Sequence, residues 1–152
     1  IKLGKTNLKL HLIGGLQTNK VKYAVKLFDY IHSVDSEKLA KKISDEQIKQ
    51  NKKVKVFIQV NIGNEDQKFG VDKLLVPELC YYCKTLGLEV VGLMCIPPLN
   101  EPSEIYFKEM SELNKKLNFK ELSMGMSSDF LNAIKNSATY VRIGSNIFGK
   151  RN

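Results

Sequence analysis

LSMGMSSDFLNAIKNSATYVRIGSNIFG, residues 122–149, is the stretch on which the reading of this fold turns. An apolar run of strand length, 121–126, ends at Ser127, where helical spacing takes over through 137 with Asp129 in the first turn. A second strand, 140–143, gives way at Gly144 to Ser145-Asn146-Ile147-Phe148-Gly149. Two consecutive strand–loop–helix units thus each carry a polar or glycine-bearing loop at the same end of their strands. Backbone N–H groups and hydroxyls at such loops can hold an anion. Glycine admits a close approach, and a turn from Gly144 to Ile147 can aim several N–H groups at one point. The same residues also admit a plain helix cap at Ser127 or Ser128.

Outward from this stretch the chain alternates element types. Strand-length apolar runs occupy 10–14, 30–34, 54–61, 90–96, 121–126 and 140–143, and helical spacing fills 19–28, 36–51, 71–86, 101–117 and 127–137. Ile105, Tyr106, Met110, Leu113 and Leu117 keep the three-to-four step of an amphipathic helix, and Pro77 suits the first turn of its own helix. Strict alternation means parallel strands with crossover helices, an α/β fold. Each strand ends in a polar or glycine cluster, which favours a barrel, where all strand ends share one face. A doubly wound sheet would carry a glycine fingerprint after its first strand, and Gly14-Gly15 does not complete one. A (β/α)8 barrel takes about 250 residues, so 152 residues accommodate about six of its βα units. Barrels hold phosphate on the loops after strands seven and eight. That assigns 1–152 to strands three to eight of a single barrel domain, with the first two units absent.

Arg142 is then expected to point inward at a strand end. Its planar cation suits a phosphate, a carboxylate or a heteroaromatic nitrogen, or equally a salt bridge to Asp35 or Asp129.

Composition narrows the classes. Hydrophobic residues make up 43% and charged residues 26%, which is globular rather than disordered. The longest apolar run, VVGLMCIPPL at 90–99, is far below the roughly 20 residues of a membrane span. Cys80, Cys83 and Cys95 are too few for a disulfide framework, so a reducing cytoplasm is expected. The net charge of +8 invites a nucleic-acid reading, but it comes from 22 lysines and two arginines, Arg142 and Arg151. Nucleic-acid readers favour arginine for bidentate contacts, so the lysines are assigned to solvated helix faces.

Six segments in order carry a family resemblance: HLIGGLQTNK (11–20), IHSVDS (31–36), QVN (59–61) with KFG (68–70), GLMCIP (92–97), LSMGMS (122–127), and VRIG (141–144) through Phe148-Gly149. The chain resembles the YggS/PROSC family of pyridoxal 5′-phosphate (PLP) binding proteins, whose fold is that of the alanine racemase N-terminal domain, a TIM-type barrel of PLP fold type III. The resemblance implies that Ser127, Gly144 and Ser145 hold the cofactor's phosphate. It implies that Arg142 faces the pyridine nitrogen, where a cation disfavours ring protonation and weakens the ring as an electron sink. His11, Asn61 and Met94 are expected to line the pocket. The family's Schiff-base lysine lies on the first strand, upstream of Ile1, so no catalytic residue is assigned here. Lys20 and Lys68 are read as loop lysines.

The family implies a cytoplasmic, monomeric carrier or regulator of vitamin B6 and amino-acid pools, without established catalysis, whose partners are PLP and PLP-dependent apoenzymes. The alternative is a racemase-like PLP enzyme, which needs a second acid/base residue usually supplied by another domain. A basic nucleic-acid binder is the third reading, and the scarcity of arginine argues against it. Cys80 and Cys83 have redox or zinc spacing but fall mid-helix without a second pair, so they are expected to pack. Cys95 reads as a small core hydrophobe. His11 and His32 have no third ligand in view, so no metal is expected, and Asp35-Ser36-Glu37 reads as a helix cap.

Overall fold

The computed structural model describes residues 7–65 and 69–149. The strands are β1 (His11–Leu12), β2 (Tyr30–Val34), β3 (Lys55–Asn61), β4 (Val71–Asp72), β5 (Glu89–Cys95), β6 (Glu121–Met126) and β7 (Tyr140–Arg142). The helices are α1 (Val21–Leu27), α2 (Glu37–Gln50), α3 (Val76–Thr85), α4 (Ser103–Lys116), α5 (Phe130–Lys135) and the single turn α6 (Ser145–Phe148).

All strand pairs are parallel, and the sheet runs β1-β2-β3-β5-β6-β7 in strict chain order, with β4 added to the end of β3. A doubly wound sheet reverses its order at a switch point; this one never does. Five inter-strand steps separate β1 from β7, about 24 Å in a flat sheet. Yet the rings of His11 on β1 and Tyr140 on β7 lie with centroids 5.5 Å apart. The sheet is therefore rolled, and it forms the larger part of a (β/α)8-type barrel.

Alternation along each strand sorts side chains between two layers. Val56, Ile58, Val60, Leu93, Cys95, Leu122 and Met124 join the core under the helices, with Ile43, Phe107 and Met110 from the helix side. Phe57, Gln59, Met94, Ser123, Tyr140 and Arg142 alternate with them, and register places Gln59 beside Met94 and Met94 beside Ser123 on the inner face. With both faces covered, the strands read as continuous apolar runs.

Local chemistry sets the element ends. Ser36 caps α2, its Oγ accepting from Leu39 N at 3.4 Å, as expected for that segment. Asn51 ends α2 in the left-handed region, and Gln47 Oε1 accepts from Val54 N at 2.6 Å, tying the helix to the next strand. The helix expected over 71–86 starts later. Val71 and Asp72 pair with β3, and Asp72 Oδ1 accepts from Leu74 N at 2.8 Å to hold a 3-10 turn. Helix α3 then opens with Pro77 in its first turn, where a missing N–H costs nothing.

The helix expected over 127–137 shrinks to α5, and neither Ser127 nor Ser128 caps it. Asp129 occupies the capping position but turns back, its Oδ1 accepting from Met126 N at 2.7 Å. Gly125 closes the same corner at φ 91°, where a Cβ would stand 2.5 Å from Ala133 Cβ.

Candidate functional site

The loops after β6 and β7 meet. Gly144 N donates to Ser127 Oγ at 3.1 Å, and Asn146 Nδ2 donates to Ser127 O at 2.9 Å. Ser127 is half-buried, whereas Gly144, Ser145 and Asn146 are exposed. Residues 17 apart in sequence thus share one hydrogen-bonded corner, because β6 and β7 are neighbours in the sheet. The expected open turn at 144–147 is the helical turn α6, with Gly144 before its first residue. Gly144 has φ −119°, a value open to any residue, and a Cβ built there meets nothing within 4 Å. The space in front of the Gly144 Cα is therefore open.

Arg142 turns inward from the last residue of β7. Its Nη1 donates to Ser123 Oγ at 2.9 Å and its Nη2 to Cys95 O at 2.8 Å. Neither Asp35 nor Asp129 forms an ion pair with it among the described residues. The strand direction accounts for this: Asp129 is turned onto the Met126 amide, and the guanidinium faces the barrel interior. Burial lowers the arginine's pKa, against the opposing pull of Cys95 and Asp129. A guanidinium stays charged in proteins, so the interior of the sheet carries one fixed cation.

The other expected pocket residues occupy different settings. His11 is half-buried, stacks on Tyr30 at 4.2 Å, and shares a 2.9 Å hydrogen bond between its Nδ1 and His32 Nε2. Asn61 turns to its own loop: its Nδ2 donates to Glu65 O at 2.9 Å, and its Oδ1 accepts from Glu65 N at 3.1 Å. Each end of the carboxamide thus makes one bond to that turn. Met94, on the inner face between Gln59 and Ser123, is 0% exposed, covered by the side chains around it. Lys20 closes the 3-10 turn before α1 and is exposed; Lys68 lies outside the described residues.

On sequence His32 is weighed only as a metal ligand, and Ser123 is not singled out. His32 Nδ1 lies 2.9 Å from Ser123 Oγ, which also meets Arg142. The alternation of Leu122-Ser123-Met124 was the available sign, since a serine between two core residues must face the other layer.

Cys80, Cys83 and Cys95 are free and buried in the helix-side core. Burial raises their pKa values to about 11, 12 and 12. Among the described residues no group of three or more His, Cys, Asp or Glu is placed to hold a metal ion, and no helix is long and apolar enough to cross a membrane. A groove of about 290 Å³ between the starts of α2 and α3 is lined in part by Asp35, Glu37 and Glu78. Three carboxylates there repel an anion.

A rolled parallel sheet with helices outside, polar loops gathered at the ends of β6 and β7, and a cation set within the sheet define a class, the (β/α)8-type barrels. The model of the alanine racemase N-terminal domain matches residues 2–152. The chain is 43% identical to the pyridoxal phosphate homeostasis protein of Aquifex aeolicus (strain VF5), an alignment covering 95% of this chain and 68% of that protein. It is 37% identical to the pyridoxal phosphate homeostasis protein of Vibrio alginolyticus, over 95% of this chain and 66% of that one. PipY of Synechococcus elongatus PCC7942, in its structure with PLP bound, superposes with a TM-score of 0.87 at 33% identity, covering 95% of this chain and 72% of PipY. The chain belongs to the alanine racemase N-terminal domain family and, within it, to the YggS/PROSC family of pyridoxal phosphate homeostasis proteins. It spans about two thirds of the length of the curated relatives it matches.

Proposed function

We propose that this chain holds pyridoxal 5′-phosphate at the β6–β7 corner and serves in vitamin B6 and amino-acid homeostasis, with no catalytic turnover of its own. The observation that carries the reading is the corner itself, where the Gly144 amide and the Asn146 side chain converge on Ser127 beside open space at Gly144. Ser127 and Ser145 would supply hydroxyl and amide donors to the phosphate, and Gly144, its own amide held by Ser127, would let the group approach the backbone. Arg142 would offer its remaining N–H donors to the ring while Ser123 and Cys95 hold two of them. When bound, the cofactor supplies an aldehyde and an electron-accepting ring; a fixed cation facing the ring nitrogen keeps a proton off that atom and moderates its electron demand. A cytoplasmic monomer that passes PLP to apoenzymes fits this reading, since relatives are named for homeostasis rather than for a reaction.

The experiment is a PLP titration of the folded chain followed by absorbance, with inorganic phosphate as competitor. Saturable binding weakened about tenfold in Ser127→Ala, the loss of one hydrogen bond to a charged group, is the expected outcome. Borohydride reduction and peptide mass mapping then locate any lysine joined to the cofactor. A folded chain that shows no saturable binding sinks the proposal, and steeply salt-dependent binding to RNA or DNA in its place would favour the nucleic-acid reading.

A further inference from the structure

We infer that Ser123 and His32 are positioning residues for Arg142, joined with His11 in one hydrogen-bonded relay across the barrel interior whose direction the guanidinium sets. The inference rests on the reading that Arg142 faces a bound ligand. The relay runs Arg142 Nη1 to Ser123 Oγ, Ser123 Oγ to His32 Nδ1, and His32 Nε2 to His11 Nδ1, each at 2.9 Å. It links β7 and β6 to β2 and β1, strands on opposite sides of the rolled sheet.

Its direction follows from donor counting. A guanidinium only donates, so Ser123 Oγ accepts from Arg142. The hydroxyl has one proton, and His32 Nδ1 is the acceptor within reach among the described residues. If His32 Nδ1 donated instead, that proton would be orphaned on a side chain 0% exposed. His32 therefore carries its proton on Nε2 and donates to His11 Nδ1, which leaves the His11 proton on Nε2. Both rings are neutral, each in one tautomer.

A proton added to His11 would set two donors face to face, and one added to His32 would place a second cation near Arg142. The surroundings agree. Phe57 stacks on His32 at 4.2 Å, and Tyr140 meets it edge-on at 5.9 Å. Burial, then His11 and Arg142, lower the His32 pKa to about 3. His11 has Tyr30 and Tyr140 against it, and burial lowers its pKa more than Asp29 raises it. Cys95 and Asp129 act on Arg142 from the other side. Held by Ser123 and by Cys95 O, the guanidinium has a fixed plane, and the relay contributes no charge that would compete with it.

The chain has two histidines, both in the relay, so 15N-histidine labelling gives a simple spectrum. Long-range 1H–15N correlation of the ligand-free chain should show both imidazoles protonated at Nε2 alone at pH 8, with His32 not titrating between pH 8 and 5. Ser123→Ala should release His32 into a tautomer mixture and weaken PLP binding about tenfold, with Ser123→Thr restoring both through its hydroxyl. His32 protonated at Nδ1, or titrating near 6.5, overturns the relay. Equal PLP affinity in wild type and Ser123→Ala overturns the positioning role. If the wild type binds no PLP, the proposed function falls, while the ligand-free spectra still decide the relay.

Discussion

At the scale of single residues, burial governs what this chain's reactive groups can do. The three thiols have the composition of redox chemistry but not its setting, since a thiolate is favoured by exposure and positive charge. With pKa values raised to about 11 to 12, Cys80, Cys83 and Cys95 should resist iodoacetamide at pH 8 in the native chain and react fully once it is unfolded, as intact-mass spectrometry would read. His32 makes the corresponding case for pH. An unfolded imidazole gains its proton near pH 6.5, whereas folded His32 holds off until about pH 3. Between those values the unfolded state binds more protons, so the contribution to stability is complete above pH 6.5 and is lost as the pH falls. Urea midpoints should record a decline of up to roughly 1.4 kcal/mol per pH unit from this residue, absent in His32→Gln.

At the scale of elements, the β6–α5 corner is a tight joint. Gly125 combines φ 91° with a Cβ position 2.5 Å from Ala133 Cβ, and Ala133 is itself 0% exposed, so neither backbone nor neighbour can give. Gly125→Ala should cost about 2–3 kcal/mol by chemical denaturation, the sum of a left-handed penalty and overpacking. Gly144→Ala, with ordinary φ and open space ahead, should leave stability within about 0.5 kcal/mol and act on PLP and phosphate binding instead. Two glycines in neighbouring loops thus serve different ends, one packing and one access. Where expected helix starts moved, side chains bound to nearby backbone were the cause. Asp72 and Asp129 each grip an amide at a strand end and delay the helix by several residues.

At the scale of the whole molecule, rolling the sheet is what makes a site. It brings His11 and His32 from one side to Ser123 and Arg142 on the other, and it sets the β6 and β7 loops side by side. A ligand that binds only this assembled face must stabilise it: PLP at about 100 times its Kd should add roughly 2.7 kcal/mol and raise Tm by several degrees. A Tm unmoved by saturating PLP would contradict binding to the folded state.

The strands, the crossovers and the inward arginine were legible because they depend on local information. Period-two alternation and three-to-four spacing are properties of a few neighbouring residues, and chain-order parallel strands leave few topologies. The Leu122–Gly149 stretch alone marked both loops that meet at the β6–β7 corner. The partners of each side chain were not legible. Asn61 turned to its own loop, Met94 is covered on the inner face, and Arg142 found Ser123 and a carbonyl in place of a carboxylate. Which donor meets which acceptor 19 to 91 residues away is decided by the curvature of the sheet and the register of its strands. Sequence by itself determined the elements, their order and the chemistry at the strand ends. Tertiary structure alone decided the relay, because hydrogen bonds act over about 3 Å and only the rolled sheet brings those four side chains within that reach.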